Sequence, residues 1–227
     1  MTTIQTNLNT IQSHIHDCEK QFRRKSGSVF LLAVSKKQSI EKIEQAVAAG
    51  QLAFGENYLQ EALIKIAALA SKNLEWHFIG PIQRNKTRKI AEHFSWVHSI
   101  DDAVIAKRLS EQRPEHLPPL NICIEVNVSA EPTKSGVSFD EVEALAQYCV
   151  QLPRLKLRGL MTIPSTKNHF IEQRAEFYKL RLTAEILCSK GFSLDTLSMG
   201  MSNDMDAAIA ENATIVRIGT KIFGSRE

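Results

Sequence analysis

The residues most able to do chemistry are Lys36 and a set of small, hydroxyl and basic side chains in the last thirty positions. Leu197-Ser-Met-Gly-Met-Ser-Asn-Asp204 and Val216-Arg-Ile-Gly-Thr-Lys-Ile-Phe-Gly224 each read as a short apolar strand that breaks into glycine, serine or threonine. A break of that kind offers backbone N–H groups to a phosphate. Glycine permits close approach, hydroxyls donate, and a helix N-terminus adds partial positive charge. Ser198, Ser202, Gly219 and Thr220 are therefore candidate phosphate ligands, with a helix predicted to begin at Ser202; ordinary turn chemistry is the competing reading. Lys36 closes the first apolar strand and shares parity with Phe30, Leu32 and Val34, so it projects from the mouth of a packed layer. A partly desolvated lysine amine can form a Schiff base with an aldehyde; the alternative is a surface lysine like its neighbour Lys37. Arg217 sits among Ile215, Val216 and Ile218 and must enter the core with its charge satisfied, by a ligand or by an ion pair to Glu56 or Glu125. His77, within Trp76-His-Phe-Ile-Gly80, either stacks on a planar ring or is a hydrogen-bonded core histidine. Together these residues suggest a phosphorylated ligand held covalently.

Elements that can position such groups recur along the chain. Apolar strand candidates fall at 29–34, 52–54, 75–79, 96–100, 120–128, 156–162, 196–199 and 214–218. Helical periods lie between them, at 39–49, 58–70, 83–93, 101–113, 139–151, 170–189 and 202–211. Strands apolar on both faces and joined by helices pair in parallel under a helical cover. Eight such repeats predict a single-domain (β/α)8 TIM barrel, and no G-x-G-x-x-G follows the first strand to favour an open dinucleotide-binding sheet. Little chain remains after the eighth strand to form its helix. An extra N-terminal helix within residues 1–24, apolar at Ile4, Leu8, Ile11, Ile15, Cys18 and Phe22, is expected to pack near strands eight and one. In a barrel the functional groups stand at the carboxyl ends of the strands, where Lys36, Asn57, Ser198, Ser202, Gly219 and Thr220 all fall.

Composition excludes several classes. In 227 residues the charge is only +3, too small to argue for nucleic acid or an anionic membrane, and the basic run Arg84-Asn-Lys-Thr-Arg-Lys89 reads as a solvated helix face. Neither a twenty-residue apolar span nor an export leader is present, so the expected location is cytoplasmic. Four dispersed cysteines without a C-x-x-C pair fit reduced, mostly buried thiols. His14 and His16 are two apart on one helix and face different ways, so no metal site is expected there. A monomer is expected, and no repeated apolar surface patch is legible to argue otherwise.

The motifs resemble the pyridoxal phosphate homeostasis proteins, the YggS-like, proline-synthetase-co-transcribed family, which are small relatives of the alanine racemase barrel. The resemblance rests on Leu32-Ala-Val-Ser-Lys36, Phe54-Gly-Glu-Asn-Tyr-Leu-Gln-Glu61, Trp76-His-Phe-Ile-Gly-Pro-Ile-Gln-Arg-Asn-Lys86, His98-Ser-Ile-Asp101, Val126-Asn-Val-Ser, Lys134-Ser-Gly136, Arg158-Gly-Leu-Met-Thr-Ile-Pro164 and the two C-terminal segments. It covers the chain from about residue 30 to the end. It implies pyridoxal 5'-phosphate covalent on Lys36, its phosphate held by Ser198, Ser202, Gly219 and Thr220, its pyridine nitrogen facing Arg217, and Asn57 lining the pocket. Two positions depart from the family pattern: Asp102 replaces a basic residue, and Asn212 replaces a glycine before the last strand. Asparagine is the next-best residue for a left-handed cap.

A guanidinium only donates, so a pyridine nitrogen facing it stays unprotonated and is a weak electron sink. The resemblance thus implies a non-catalytic carrier or store acting in vitamin B6 and amino-acid homeostasis, with pyridoxal-phosphate-dependent apoenzymes as recipients. A small racemase is the alternative; it needs a second acid/base, for which Tyr58 is the candidate near the mouth. A Schiff-base aldolase with Glu56 as acid/base is a third reading.

Overall fold

The computed structural model describes residues 3–131 and 133–224. Eight parallel strands close into one barrel in sequence order: β1 (Phe30–Val34), β2 (Ala53–Glu56), β3 (Glu75–Phe78), β4 (Trp96–Ile100), β5 (Leu120–Glu125), β6 (Leu155–Met161), β7 (Thr196–Ser198) and β8 (Ile215–Ile218). Closure comes from β1 pairing with β8, Leu32 opposite Arg217 and Ala33 opposite Ile218. The covering helices are α2 (Ile40–Ala48), α3 (Leu59–Ala68), α4 (Thr87–His93), α5 (Ala103–Gln112), α6 (Phe139–Cys149), α7 (Phe170–Ser189), α8 (Met205–Ala210) and α9 (Thr220–Phe223). They start where the sequence supplies acceptors: Ser39 Oγ takes the Lys42 N–H, and Ser138 with Glu141 forms a capping box.

The N-terminal helix α1 (Ile4–Gln21) buries Ile4, Leu8, Ile11, Ile15 and Cys18 and packs on α2, α8 and α9, which flank β1 and β8. Phe22 is its C-terminal cap rather than part of the helix. Asn7 Nδ2 donates to Ile222 O at 2.9 Å, tying the start of the chain to its end. Glu19, in the last turn of this helix, is 1% exposed and accepts the Gly27 and Val29 N–H groups.

Outward strand side chains and inward helix faces make the main apolar layer, from Leu31, Phe54, Phe78, Val97, Ile122, Leu160 and Val216 to Phe177 and Leu180. The barrel interior is different. It holds two small apolar clusters, Leu32–Val34–Ala53–Ile79–Ile215 and Trp96–Cys123–Met161, alongside the buried polar groups His77, His98, Ser198 and Arg217. Among the described residues no helix is long and apolar enough to cross a membrane. The long helix α7 leaves Ile171, Tyr178, Leu182 and Ile186 exposed along one side, an apolar stripe the sequence reading did not find. Its mixed periodicity hid it, because apolar residues occur on several faces of that helix.

Candidate functional site

The carboxyl end of the barrel carries a cavity of about 250 Å³. Val34 and Lys36 come from the end of β1, Asn57 from the end of β2, and Ile79 from the end of β3. Arg217, Gly219 and Thr220 come from β8 and the start of α9. The turn 201–204 closes one side, and Ile163, Pro164, Thr166, Lys167 and Gln173 from the β6–α7 connection and α7 close another. Six residues singled out from the sequence thus line one space: Lys36, Asn57, Ser202, Arg217, Gly219 and Thr220.

Lys36 follows a firmly held residue. Ser35 Oγ donates to Glu56 Oε1 at 2.6 Å, and Lys65 Nζ reaches both Ser35 O and Glu56 Oε1 at 2.7 Å. Glu56 is fully buried; burial pushes its carboxyl up, and the Lys65 ammonium opposes that shift. Its Oε1 braces β1 against α3, and Glu56 does not line the cavity, where the acid/base of an aldolase reading would have to stand. Tyr58 does not line the cavity; it is half exposed at the start of α3, with Lys37 Nζ 5.8 Å above its ring.

The C-terminal cradle is built by close backbone approach. Gly200 has φ +94, and a Cβ there would stand 2.6 Å from Ala208 Cβ, so the chain turns beneath α8 only with glycine at this point. Gly200 O in turn accepts the Arg217 N–H at 2.9 Å. Gly219 passes close to β1, where a Cβ would lie 3.1 Å from Val34 O. The helix predicted to start at Ser202 starts at Met205 instead, because Asp204 turns its Oδ1 back to the Met201 N–H and holds 201–204 as a turn. Ser202 therefore meets the cavity from a turn, without a helix dipole behind it.

Arg217 is 3% exposed. Its Nη1 donates to Ser198 O at 2.6 Å and Ser198 Oγ at 2.8 Å, and its Nη2 to Thr162 O at 2.8 Å. Neither ion pair expected from the sequence forms. Burial weighs against the charge, and Asp204 and Glu125 offset this through space. Two site expectations are corrected. Ser198 is fully buried and its hydroxyl is bound between Arg217 and His98, so it does not reach the cavity. His77 lies lower in the barrel with both ring nitrogens hydrogen-bonded and its ring stacked on Trp96 at 5.4 Å, so it is a core histidine and not a cofactor platform.

The sequence reading missed Ile163, Pro164, Thr166, Lys167, Gln173 and Asp204 as lining residues. The usable signal was Thr162-Ile-Pro164, a strand end followed by a proline-bearing connection at the barrel mouth. The departures from the family pattern are accommodated. Asp102 caps α5 through the Val104 N–H and pairs with Arg84 at 3.2 Å, and Asn212 adopts φ 66. Elsewhere His14, Cys18 and Asp206 bring potential metal-binding atoms within 4.8 Å; the 2.7 Å His14–Asp206 hydrogen bond between α1 and α8 accounts for that grouping.

This combination of a parallel barrel, a lysine ending the first strand and small-residue turns after the seventh and eighth defines a class. The family described as alanine racemase, N-terminal domain, matches residues 3–227. Within that class the chain belongs to the family of pyridoxal phosphate homeostasis proteins. It is 54% identical to the protein of that name from Pseudomonas aeruginosa, with 100% of this chain and 97% of the relative covered. The Vibrio alginolyticus relative of the same name is 50% identical, with 100% and 99% covered. Among solved structures, PipY of Synechococcus elongatus with PLP bound is 38% identical, covers 92% of this chain and 100% of its own, and superposes with a TM-score of 0.82.

Proposed function

We propose that this protein binds pyridoxal 5'-phosphate as a Schiff base on Lys36 and serves as an intracellular carrier or store in vitamin B6 homeostasis. The carrying observation is that Lys36, Arg217, Ser202, Gly219 and Thr220 line one cavity although Lys36 stands 166 or more positions before each of the others. The names of the relatives and the PLP-bound PipY structure support the same ligand. The site passes a fit test of its own: Asn57 Oδ1 is buried in the cavity wall without a hydrogen-bond partner, an acceptor suited to a ligand hydroxyl.

Each residue's part follows from its chemistry. The Lys36 amine condenses with the aldehyde, losing two hydrogens as the carbonyl oxygen leaves as water. Ser202, Thr220 and the N–H groups around Gly219 hold the phosphate. Arg217 donates toward the ring nitrogen and keeps it unprotonated. When bound, the cofactor supplies an electron sink; without a proton on that nitrogen the sink is weak, which favours holding over turnover. The reversible linkage lets another amine displace Lys36, consistent with hand-over to apoenzymes by a monomeric cytoplasmic protein.

The test is absorbance of wild type and Lys36→Ala before and after incubation with pyridoxal phosphate, followed by borohydride. Wild type should gain a visible band that reduction removes, with the adduct mapped to Lys36; the variant should not. A colourless wild type, or an adduct at another lysine, refutes the reading. Enzyme-like turnover of chiral amino acids would refute the carrier role.

A further inference from the structure

The buried polar groups of the barrel interior connect end to end. Glu75 Oε1 lies 2.7 Å from His77 Nε2, His77 Nδ1 lies 2.9 Å from His98 Nε2, and His98 Nδ1 lies 2.7 Å from Ser198 Oγ. Ser198 Oγ accepts from Arg217 Nη1 at 2.8 Å. The chain starts at the amino end of β3, where the Glu75 side chain is 46% exposed and, with His77, Phe30, Trp96, Arg158 and Asp195, lines a second cavity. It ends at the arginine that lines the mouth cavity. His98 and Ser198 are fully buried and line neither cavity, so water cannot substitute for a missing bond between them.

We propose that Glu75, His77, His98 and Ser198 form a one-way hydrogen-bond relay whose role is to position Arg217 at the floor of the ligand cavity. The direction follows from the two ends. A carboxylate only accepts, so His77 carries its proton on Nε2 and presents Nδ1 as an acceptor. His98 must then donate from Nε2 and accept on Nδ1. Ser198 has one proton and gives it to His98, which leaves its lone pair for Arg217, a group that only donates. Every bond is satisfied with both histidines neutral and in the Nε2–H form. The competing arrangement, a His77 imidazolium against Glu75, turns His98 around and makes Ser198 accept from both sides, leaving its own hydroxyl proton without a place in the chain. Burial lowers His77 below the usual imidazole range, although Glu75 raises it, and burial with His77 and Arg217 nearby holds His98 well below it. Both therefore remain neutral at pH 7.

The relay also explains why a serine stands at 198 without serving as a phosphate ligand: its only proton is given away from the cavity. His77, His98 and Glu75 touch no part of the cavity, so they are positioning residues that act through Arg217. Their bearing on ligand binding rests on the pyridoxal phosphate reading, whereas the bond direction is a property of the protein alone.

Two measurements separate these. In the ligand-free, 15N-labelled protein at pH 7, long-range 1H–15N spectra should show His77 and His98 both as neutral Nε2–H tautomers. Glu75→Gln, whose amide oxygen accepts the same bond, should keep both; Glu75→Leu should release His77 from that form. An Nδ1–H tautomer or an imidazolium at either position in wild type overturns the relay, whatever binds at the mouth. In a pyridoxal phosphate titration, Ser198→Ala should weaken binding about tenfold, which corresponds to about 1.4 kcal/mol, with Ser198→Thr restoring most of it. Far-UV circular dichroism monitors folding of each variant. Folded Ser198→Ala with wild-type affinity overturns the positioning role. Expected tautomers in a wild-type protein that fails to bind pyridoxal phosphate would refute the proposed function and leave the relay standing.

Discussion

Glu125 gives the sharpest test of the electrostatics around the site. It ends β5, is 7% exposed, and burial pushes its carboxyl up to about 7. The neighbouring Asp101 carboxyl pushes the same way, and Arg217 pulls against both by less. The unfolded chain ionises this group near 4.5. Between 4.5 and about 7 the folded protein therefore holds a proton that the unfolded chain has released, and folding stability falls as pH rises through that window. At about 1.4 kcal/mol per pH unit the loss is on the order of 3 kcal/mol by pH 8. Glu125→Gln removes this dependence because its amide never ionises. The variant should gain on wild type by on the order of 3 kcal/mol between pH 4.5 and pH 8, with the titrations of groups not coupled to Glu125 cancelling in the difference. Urea denaturation at both pH values measures it. With an m-value of about 3 kcal/mol/M, the gap between the two midpoints should change by about 1 M in favour of the variant. A gap independent of pH, or one that moves against the variant at high pH, refutes the burial argument for this carboxyl.

Other perturbations have equally definite outcomes. Lys65→Met should destabilise by about 3–5 kcal/mol, because it leaves the buried Glu56 carboxylate without its cation, and adding Glu56→Gln should recover part of that loss in denaturation midpoints. Gly159→Ala should fail to fold or lose more than about 3 kcal/mol, since a Cβ there would stand 1.8 Å from Thr196 O of the neighbouring strand; soluble protein with a wild-type midpoint would contradict the packing. Deleting residues 1–24 exposes the surface that covers Ile4, Leu8, Ile11 and Ile15, a loss of about 6–12 kcal/mol against a typical total of about 5–15. That truncation should be insoluble or lack a cooperative unfolding transition, and a fully cooperative one would show that α1 is dispensable.

The strands were legible because each is a short, largely apolar run that breaks into polar or small residues, such as Ser35-Lys36, Asn57, Gly80, Asp101, Thr162 and Gly219; all eight overlap the runs the pattern picks out. Their number and parallel pairing then fixed which ends form the mouth, and so brought Lys36 and Gly219-Thr220 together. What remained hidden depends on side-chain direction within the barrel. Ser198 and Ser202 look alike in sequence, yet one closes β7 facing inward and the other stands in the turn above it. His77 looks like an aromatic platform until Trp96, Glu75 and His98 occupy its face and both nitrogens. The start of α8 was displaced by three residues because Asp204 satisfies the Met201 N–H locally, a competition between side chain and helix that spacing alone does not reveal.

The seam between β1 and β8 has a consequence for how the protein comes into being. The lysine side of the mouth is made first, from residue 36, and the cradle side later, from residues 217–220. At about 5–20 residues per second on the ribosome, Lys36 is synthesised roughly ten to forty seconds before its counterpart exists. During that interval the nascent chain has an amine but no cavity. A chain cut short before residue 217 lacks Arg217, Gly219 and Thr220, and with them one wall of the mouth cavity.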